Sequence, residues 1–484
     1  MAILTELDLL KYRRTKIIAT VGPASDDPER LRQLIRAGVN VFRINMSHGT
    51  HAGHAAAIKR IRDAAQALES HTAILADLCG PKIRTGKFEH GPVELVAGRK
   101  VTITTADVLG HEGLIPSQYD AITDDVEEGH RILLNDGAVE LRVERIAGCE
   151  VECAVIAGGI VSDHKGINLP GSKVSAPSLT EKDRRDAAFA LEHDVDFLAL
   201  SFVRTAEDII ELREIVNTAG KDTFIVAKIE KPEALQNSER IIRETDAIMV
   251  ARGDLGVELN PEQVPLAQTQ LINRARELNR PVIVATQMLE SMITNARPTR
   301  AEVSDVAFAV AGSADAVMLS GESAVGDYPV DAVKMMDKVA RQTESYHWHT
   351  GHDATLHLSG PDSDVVPFGD AIAHATAKLV SAMKARAVLV ISQQGMTAAT
   401  ISAARPRAPV VAVSNQAATC RRMSLMWGMI PHLAPAAGHD NPNQIARRVA
   451  RELGLADSGE FVVMVRGFHA DPEWNSPSIT LLQL

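Results

Sequence analysis

The chain has 484 residues, too many for one hydrophobic core and enough for about three domains. Apolar residues make up 45% and charged residues 23%, which fits a well-packed globular protein and not a disordered one. With 51 basic and 62 acidic side chains the net charge is −11, which argues against a general nucleic-acid binder. Four cysteines, Cys79, Cys149, Cys153 and Cys420, form no CxxC pair, so free thiols in a reducing compartment are expected and structural zinc is not. Cys149 and Cys153 fall in a strand-like stretch, where their spacing places both on one face as packing residues. Residues 1–14 carry Glu6 and Asp8 and no small-residue cleavage site, and no apolar run approaches the roughly 18 residues of a membrane span. No membrane partner and a cytoplasmic location are expected.

In chain order, short β-branched, apolar runs occur at residues 15–22, 39–46, 72–78, 197–203, 223–229, 247–252, 281–287 and 316–321. Helix-period segments separate most of them, Pro28–Ala37 and Val264–Glu277 among them. Near-continuous apolar strands alternating with helices read as a parallel sheet buried on both faces. Eight such units are the number that closes a TIM (β/α)8 barrel, an α/β fold. Its first part is expected over residues 1–85 and its second over 165–346.

The third and fourth runs are separated by far more chain than a βα loop needs. Residues 86–164 read as short strands and turns: Val101–Thr104, Arg131–Leu134, Gly137–Val143 and Glu150–Ile156. An inserted all-β lid domain on the C-terminal face of the barrel is the expectation. Residues 347–367 are rich in His, Asp, Gly, Ser and Pro and read as a linker or exposed loop. Strand-like runs at 386–392, 409–414 and 461–466 then alternate with helical stretches, so 347–484 is expected to hold a separate C-terminal α/β domain.

Catalytic groups of such a barrel come from the C-terminal ends of its strands. The runs here end in Arg43, Asn45, Ser47 and His48, then Asp77, Ser201, Lys228 and Glu230, Arg252 and Asp254, Thr286, and Ser320 and Glu322. In VAKIE (226–230), Lys228 and Glu230 point to one face of the strand. A lysine among Val226, Ala227 and Ile229 is expensive to bury without partners. The pair reads either as a structural ion pair or as a fixed positive charge beside a metal-binding carboxylate. The second arrangement suits phosphoryl transfer, which asks a protein mainly for positioning and charge neutralisation. ARGDLG (251–256) reads as a tight turn after a strand, structural or functional. In the functional reading Gly253 lets backbone N–H groups approach an anion and Asp254 offers a hard oxygen ligand. Glu230 and Asp254 would then hold magnesium, with waters and substrate oxygens completing its shell. His48, His51 and His54 form an HxxHxxH pattern, but this spacing spreads them around a helix start and a zinc triad is not expected. Neither a Walker A loop nor GxGxxG is present, which disfavours P-loop and protein-kinase mechanisms.

RINMSHG (43–49), GPKIRTG (80–86), KGINLPG (165–171), VAKIE (226–230), ARGDLG (251–256), ATQMLESM (285–292) and LSGES (319–323) resemble pyruvate kinase in order and spacing, over almost the whole chain and most weakly in the last domain. The resemblance implies a phosphotransferase that moves the phosphoryl group of phosphoenolpyruvate to ADP, giving pyruvate and ATP at the last step of glycolysis. It implies a barrel, a lid and an often regulatory C-terminal domain that also forms interfaces, assembled as a homotetramer and answering to a small phosphorylated effector. Carried over by motif, Arg43 holds the substrate phosphate and Lys228 stabilises the transferring phosphoryl group. Glu230 and Asp254 bind Mg2+ (or Mn2+), and Gly253, Asp254 and Thr286 contact the substrate carboxylate. Thr286 also lies where a proton is relayed to the enolate carbon. Asn45, His48, Arg84 and Lys165 match nucleotide contacts. Asn45, Ser47, Asp77 and the Leu78 backbone match a monovalent-cation site. A magnesium-dependent barrel aldolase would need neither nucleotide contacts nor lid, and a catalytically silent relative would be expected to lose Lys228, Glu230 or Asp254.

Two positions depart from parts of the family. Potassium-dependent members carry Glu where this chain has Lys82, and usually Thr where it has Leu78, so potassium is expected to be dispensable. Members activated by sugar bisphosphates resemble a Ser/Thr-rich phosphate cradle with a Gly-Arg pair; here ISQQGMT (391–397) has Met396 in the arginine's place. Fructose 1,6-bisphosphate is therefore not expected to be the main activator, and a sugar or nucleotide monophosphate is.

Overall fold

Eight parallel strands close into a barrel in simple sequential order. They are β1 (Lys16–Thr20), β2 (Val41–Asn45), β3 (Ala73–Asp77), β4 (Phe197–Leu200), β5 (Phe224–Ile229), β6 (Ala247–Ala251), β7 (Val282–Ala285) and β8 (Ala316–Leu319). The computed structural model describes residues 12–350 and 368–484, apart from 436, 438, 439, 470, 472 and 474. All eight expected runs hold a strand, each shorter than its apolar run. Alternation within the strands builds two cores. Ile18, Val41, Leu75, Phe197, Val226, Met249 and Ile283 fill the barrel interior. Their neighbours Ile17, Phe42, Ile74, Leu198, Ile225 and Val284 meet the surrounding helices. Removing a side chain such as fully buried Phe197, which stacks edge-on against Phe224, would cost about 3–5 kcal/mol.

The first barrel helix, Pro28–Ala37, shows how local chemistry sets its limits. Asp27 caps it by accepting from the Glu29 and Arg30 amides at 2.9 and 3.1 Å. Pro28 supplies the first turn, and Gly38 ends the helix at φ 116. A Cβ at Gly38 would lie 2.7 Å from Arg13 Nη1, so this end needs glycine twice over.

Between β3 and β4 stands the inserted all-β unit. Its main sheet runs in the order Ile167–Asn168, Arg131–Leu134, Val139–Ala147, Glu150–Ala157, Lys100–Thr104, Leu114–Pro116. The hairpin between Arg131–Leu134 and Val139–Ala147 turns through Asn135, Asp136 and Gly137, all at positive φ. Cys153 is buried in this sheet, but Cys149 is exposed, so the two cysteines do not share a face. Gly148, at φ 60, makes a turn of the residues read as strand. The unit joins the barrel by two chain segments that pair with each other: Thr85 N donates to Lys165 O at 2.8 Å and Lys165 N to Thr85 Oγ1 at 2.9 Å.

The C-terminal unit is a five-stranded sheet in the order β11-β10-β9-β12-β13, built from β9 (Ala387–Ile391), β10 (Val410–Ser414), β11 (Met429–Leu433), β12 (Phe461–Arg466) and β13 (Ser478–Gln483), with β13 antiparallel. The two edge strands carry only a broken apolar pattern and were not anticipated. Helix Pro329–Thr350 continues into the expected linker, and residues 351–367 lie outside the described residues. This unit packs on the N-terminal face of the barrel through Arg405–Asp315 at 2.9 Å, Arg421–Asp196 at 2.7 Å and Arg422–Asp222 at 2.7 Å. Each of those aspartates precedes a barrel strand. Among the described residues no helix is long and apolar enough to cross a membrane.

Candidate active site

The C-terminal ends of β2, β3 and β5 place four charged groups in contact, and the end of β4 adds Ser201. Arg43 Nε lies 2.6 Å from Asp77 Oδ2, and its Nη1 donates to Thr20 Oγ1 at 3.1 Å. Lys228 Nζ lies 2.9 Å from Glu230 Oε1 and 3.3 Å from Asp77 Oδ1, and donates to Ser201 Oγ at 2.7 Å. Ser201 Oγ in turn donates to the Leu78 carbonyl at 2.7 Å. The remaining Glu230 oxygen accepts from the Phe202 amide at 2.8 Å, made possible by a left-handed turn at Phe202, φ 55. Both carboxylates are 1% exposed, so two cations and two anions compensate each other away from water. Burial alone would lower the Lys228 ammonium; Asp77 and then Glu230 overcome it and raise it above its ordinary value. Burial likewise opposes ionisation of Asp77, and Lys228 and Arg43 reverse that, holding its carboxyl below the usual range.

β6 and β7 contribute the neighbouring wall. The stretch expected as a tight turn after β6 begins a helix at once, Arg252–Glu258, with Gly253 and Asp254 in its first turn. Gly253 N donates to Thr286 Oγ1 at 2.7 Å, and a Cβ on Gly253 would stand 3.3 Å from that oxygen. Thr286 and Gln287 sit at φ 69 and 55, unusual for a β-branched residue in the first case. Arg252 holds that loop by donating to the Thr286 carbonyl at 2.7 Å, and is itself anchored to Asp305 at 2.5 Å. Arg252 thus braces the site from behind. Glu322 is also structural: it accepts from the amides of Leu289 at 3.0 Å and Ser320 at 2.7 Å. A polar residue at a strand end did not by itself mark a site residue.

Asp254 is pushed up to about 6, by burial first and then by the charge of Glu230. An Asp254 carboxylate whose ionisation is opposed by burial and by the charge of Glu230 makes, with Glu230, a fitting donor pair for a divalent cation, whose charge would relieve Asp254. Among the described residues no group of three or more His, Cys, Asp and Glu could hold a metal ion, which bears on the histidines: His51 Nε2 meets Asp186 at 2.8 Å and its ring stacks on Phe189.

Above this floor a cleft of about 330 Å³ opens between barrel and inserted unit. Lys82, Arg84, Lys165 and Asp254 line it, with Arg204, Lys231, His164 and Asp136. The last four escaped the sequence reading. Asp136 had a signal, the Asn-Asp-Gly turn that puts a hairpin tip over the barrel mouth; Arg204 and Lys231 are ordinary charged loop residues by sequence. Asn45 ends β2, Ser47 and His48 lie on the loop that follows, and none of the three lines this cleft. That loop is tied to the floor, because Met46 N donates to the Asp77 carbonyl at 3.0 Å and Ser47 N to Asn45 Oδ1 at 3.1 Å. His48 is lowered by partial burial and by the cations Lys82, Arg84 and Arg43, so the rim is strongly electropositive. Leu78 turns its side chain into the core at 1% exposure and leaves only its backbone at the site.

The barrel part, residues 12–333, matches the family profile described as "Pyruvate kinase, barrel domain", and residues 370–475 match "Pyruvate kinase, alpha/beta domain". A pyruvate kinase of Clostridium perfringens is 40% identical over 460 residues, covering 94% of this chain and 96% of the relative. One of Agrobacterium vitis is 41% identical over 478 residues, covering 98% of this chain and 97% of the relative. The crystal structure of a pyruvate kinase from Cryptosporidium parvum superposes with a TM-score of 0.89 at 35% identity, covering 98% of each chain.

Proposed function

The chain belongs to the pyruvate kinase family, and from that premise we propose how its own residues carry the reaction. The enzyme is a phosphotransferase that uses phosphoenolpyruvate and ADP and yields pyruvate and ATP. In our reading Arg43 grips the substrate phosphate, since its Nε and Nη1 are committed to Asp77 and Thr20 and leave Nη2 for an anion. The nucleotide lies in the cleft along Arg84 and Lys165, with Asn45 and His48 at its rim. Its terminal oxygen attacks phosphorus while the phosphorus–oxygen bond to the enol breaks. Lys228 neutralises the transferring group, and the enolate takes a proton at carbon by way of the Thr286 hydroxyl. Gly253 and Asp254 backbone groups and Thr286 orient the substrate carboxylate. Glu230 and Asp254 would hold Mg2+ or Mn2+, which when bound supplies charge neutralisation of the phosphate oxygens. The inserted unit closes over the cleft to exclude water.

The observation that carries this reading is the ammonium of Lys228, fixed by Asp77, Glu230 and Ser201 and joined through Glu230 and the Phe202 amide to a cleft rich in cations. An aldolase of the same fold would have no use for those cleft cations. A coupled assay for pyruvate formation from phosphoenolpyruvate and ADP is the test; turnover of pyruvate enolate with an aldehyde and without ADP would replace the reading.

The finer assignments follow from the same site. Asp77 Oδ1 is buried and accepts no hydrogen bond, although Lys228 lies 3.3 Å away, so a further cation is welcome there. We assign that role to Lys82 in place of potassium, with Asn45, Ser47, Asp77 and the Leu78 backbone as the alternative potassium site. The protein is read as a cytoplasmic homotetramer. Its effector is read as a sugar or nucleotide monophosphate at Ser392–Thr397, where Ser392 Oγ already accepts from Gly395 N at 3.0 Å and no fixed cation follows. Strong activation by low micromolar fructose 1,6-bisphosphate would refute that choice.

A further inference from the structure

A cavity of about 640 Å³ lies where the C-terminal unit meets the barrel, at the end of that unit's sheet opposite the Ser392–Thr397 loop. Lys384 and Arg386 precede β9, Arg407 precedes β10, and Arg14 reaches it from the segment before β1. These four cations share the lining with two aromatic residues, Tyr12 and Trp348, and among the described residues the lining includes no aspartate or glutamate. In a chain of net charge −11 that concentration of one sign stands out.

Arg386 has Glu460 at 3.4 Å, and Lys384 has no ion-pair partner among the described residues. Arg14 is 5% exposed; its Nη2 donates to the Arg407 carbonyl at 3.0 Å and its Nη1 makes no hydrogen bond. Its nearest counter-charge, Glu344, already accepts from the Arg14 and Thr15 amides at 2.8 and 2.7 Å. A buried guanidinium donor without an acceptor is costly and is satisfied by an anionic ligand. The aromatic side adds the second element. Trp348 is 39% exposed and stands under the Arg407 guanidinium, 5.7 Å from it, which leaves an indole surface at the cavity for a flat ring.

We propose that this cavity is a binding site for a phosphate monoester carrying a heteroaromatic base, a nucleoside monophosphate, separate from both the catalytic cleft and the Ser392–Thr397 loop. The phosphate meets Lys384, Arg386 and Arg14, and the base stacks on Trp348. Because the walls come from both the barrel side and the C-terminal unit, an occupant bridges the two.

The test is calorimetric titration of the full-length enzyme with AMP, adenosine, ribose 5-phosphate and orthophosphate at constant ionic strength. It compares the wild type with Lys384→Glu, Trp348→Ala and, as a control at the other loop, Thr397→Ala. Lys384 and Trp348 are exposed enough that neither change disturbs a core. The expected result is an AMP site, one per chain, that each of the first two variants weakens at least about tenfold and that Thr397→Ala leaves intact. Adenosine and orthophosphate alone bind at least about tenfold more weakly than AMP. Ribose 5-phosphate falls with Lys384→Glu but not with Trp348→Ala. An AMP stoichiometry and affinity unchanged in both variants would leave AMP only in the catalytic cleft or at the other loop, and AMP binding lost entirely in Thr397→Ala would place it at that loop alone. Either outcome overturns the proposal, as does orthophosphate binding as tightly as AMP.

Discussion

Lys228 Nζ stands 3.3 Å from Asp77 Oδ1, a pairing between β5 and β3 that reaches across the intervening strand β4. With Glu230 at 2.9 Å it fixes the ammonium without a choice of rotamers. An ammonium pre-placed in this way acts on charge that develops during transfer more than on the resting substrate. Lys228→Met is expected to lower kcat by at least about a thousandfold with little change in KM. The variant also strands Asp77 and Glu230 as buried carboxylates, so a lower unfolding midpoint is expected beside the kinetic loss. Near-normal kcat with a raised KM would mean that this lysine only binds.

The charge of Glu230 acting on buried Asp254 leads to a metal prediction. Glu230→Gln and Asp254→Asn each remove an anionic oxygen from the donor set, and amides are poorer ligands for hard dications. Half-saturation for Mg2+ and Mn2+ should rise in both variants, by about tenfold or more for the loss of one charged ligand. Titration of activity with each metal measures this. Unchanged half-saturation in both would move the divalent site elsewhere.

Lys82 makes no ion pair among the described residues, and partial burial lowers it despite Cys79 and Asp77, which pull the other way. Its ammonium is within electrostatic reach of Asp77 and is not consumed by an ion-pair partner among the described residues. Nearly full activity is expected with tetramethylammonium as the only monovalent cation, because an internal cation answers the same local charge deficit as an external one. Potassium dependence should appear in Lys82→Glu, fully so only with Leu78→Thr. Loss of most wild-type activity when potassium is withdrawn at constant ionic strength would defeat the argument.

At the opposite face of the barrel, Lys16 is fully enclosed and donates to the Met429 carbonyl at 2.6 Å. It is pushed down to about 7, by burial first and then by Arg13 and Arg14 acting against Glu344 and Asp315. From that value up to its ordinary 10.5 the unfolded chain holds a proton that the folded chain does not. Stability contributed by this group therefore rises with pH over that window and is constant below it. Relative to Lys16→Met, the wild type should gain about 2 kcal/mol between about pH 7 and 9. Denaturant midpoints of the two proteins measured across that range decide it; parallel profiles would assign any rise to other groups.

The barrel was legible because its strands, buried on both faces, are written as continuous β-branched runs, and because eight of them recur. The inserted unit was legible from the excess chain between β3 and β4. Lys228, Glu230 and Asp254 could be singled out because a charge inside an apolar strand or beside a strand-end glycine is costly unless it is used. What the sequence could not determine is partnership. Nothing local tells Glu322, which holds backbone amides, from Glu230, which holds Lys228. Nor does anything local bring Asp77 to Lys228, or Arg204, Lys231 and Asp136 to one cleft. Cys149 shows the same limit at short range, where one glycine at φ 60 made a turn of an apparent strand. Periodicity records which face of an element is apolar, an energy each residue has with its solvent environment. Which charge meets which depends on strand order and on a lid folded from residues far along the chain, and those contacts exist only once the barrel has closed.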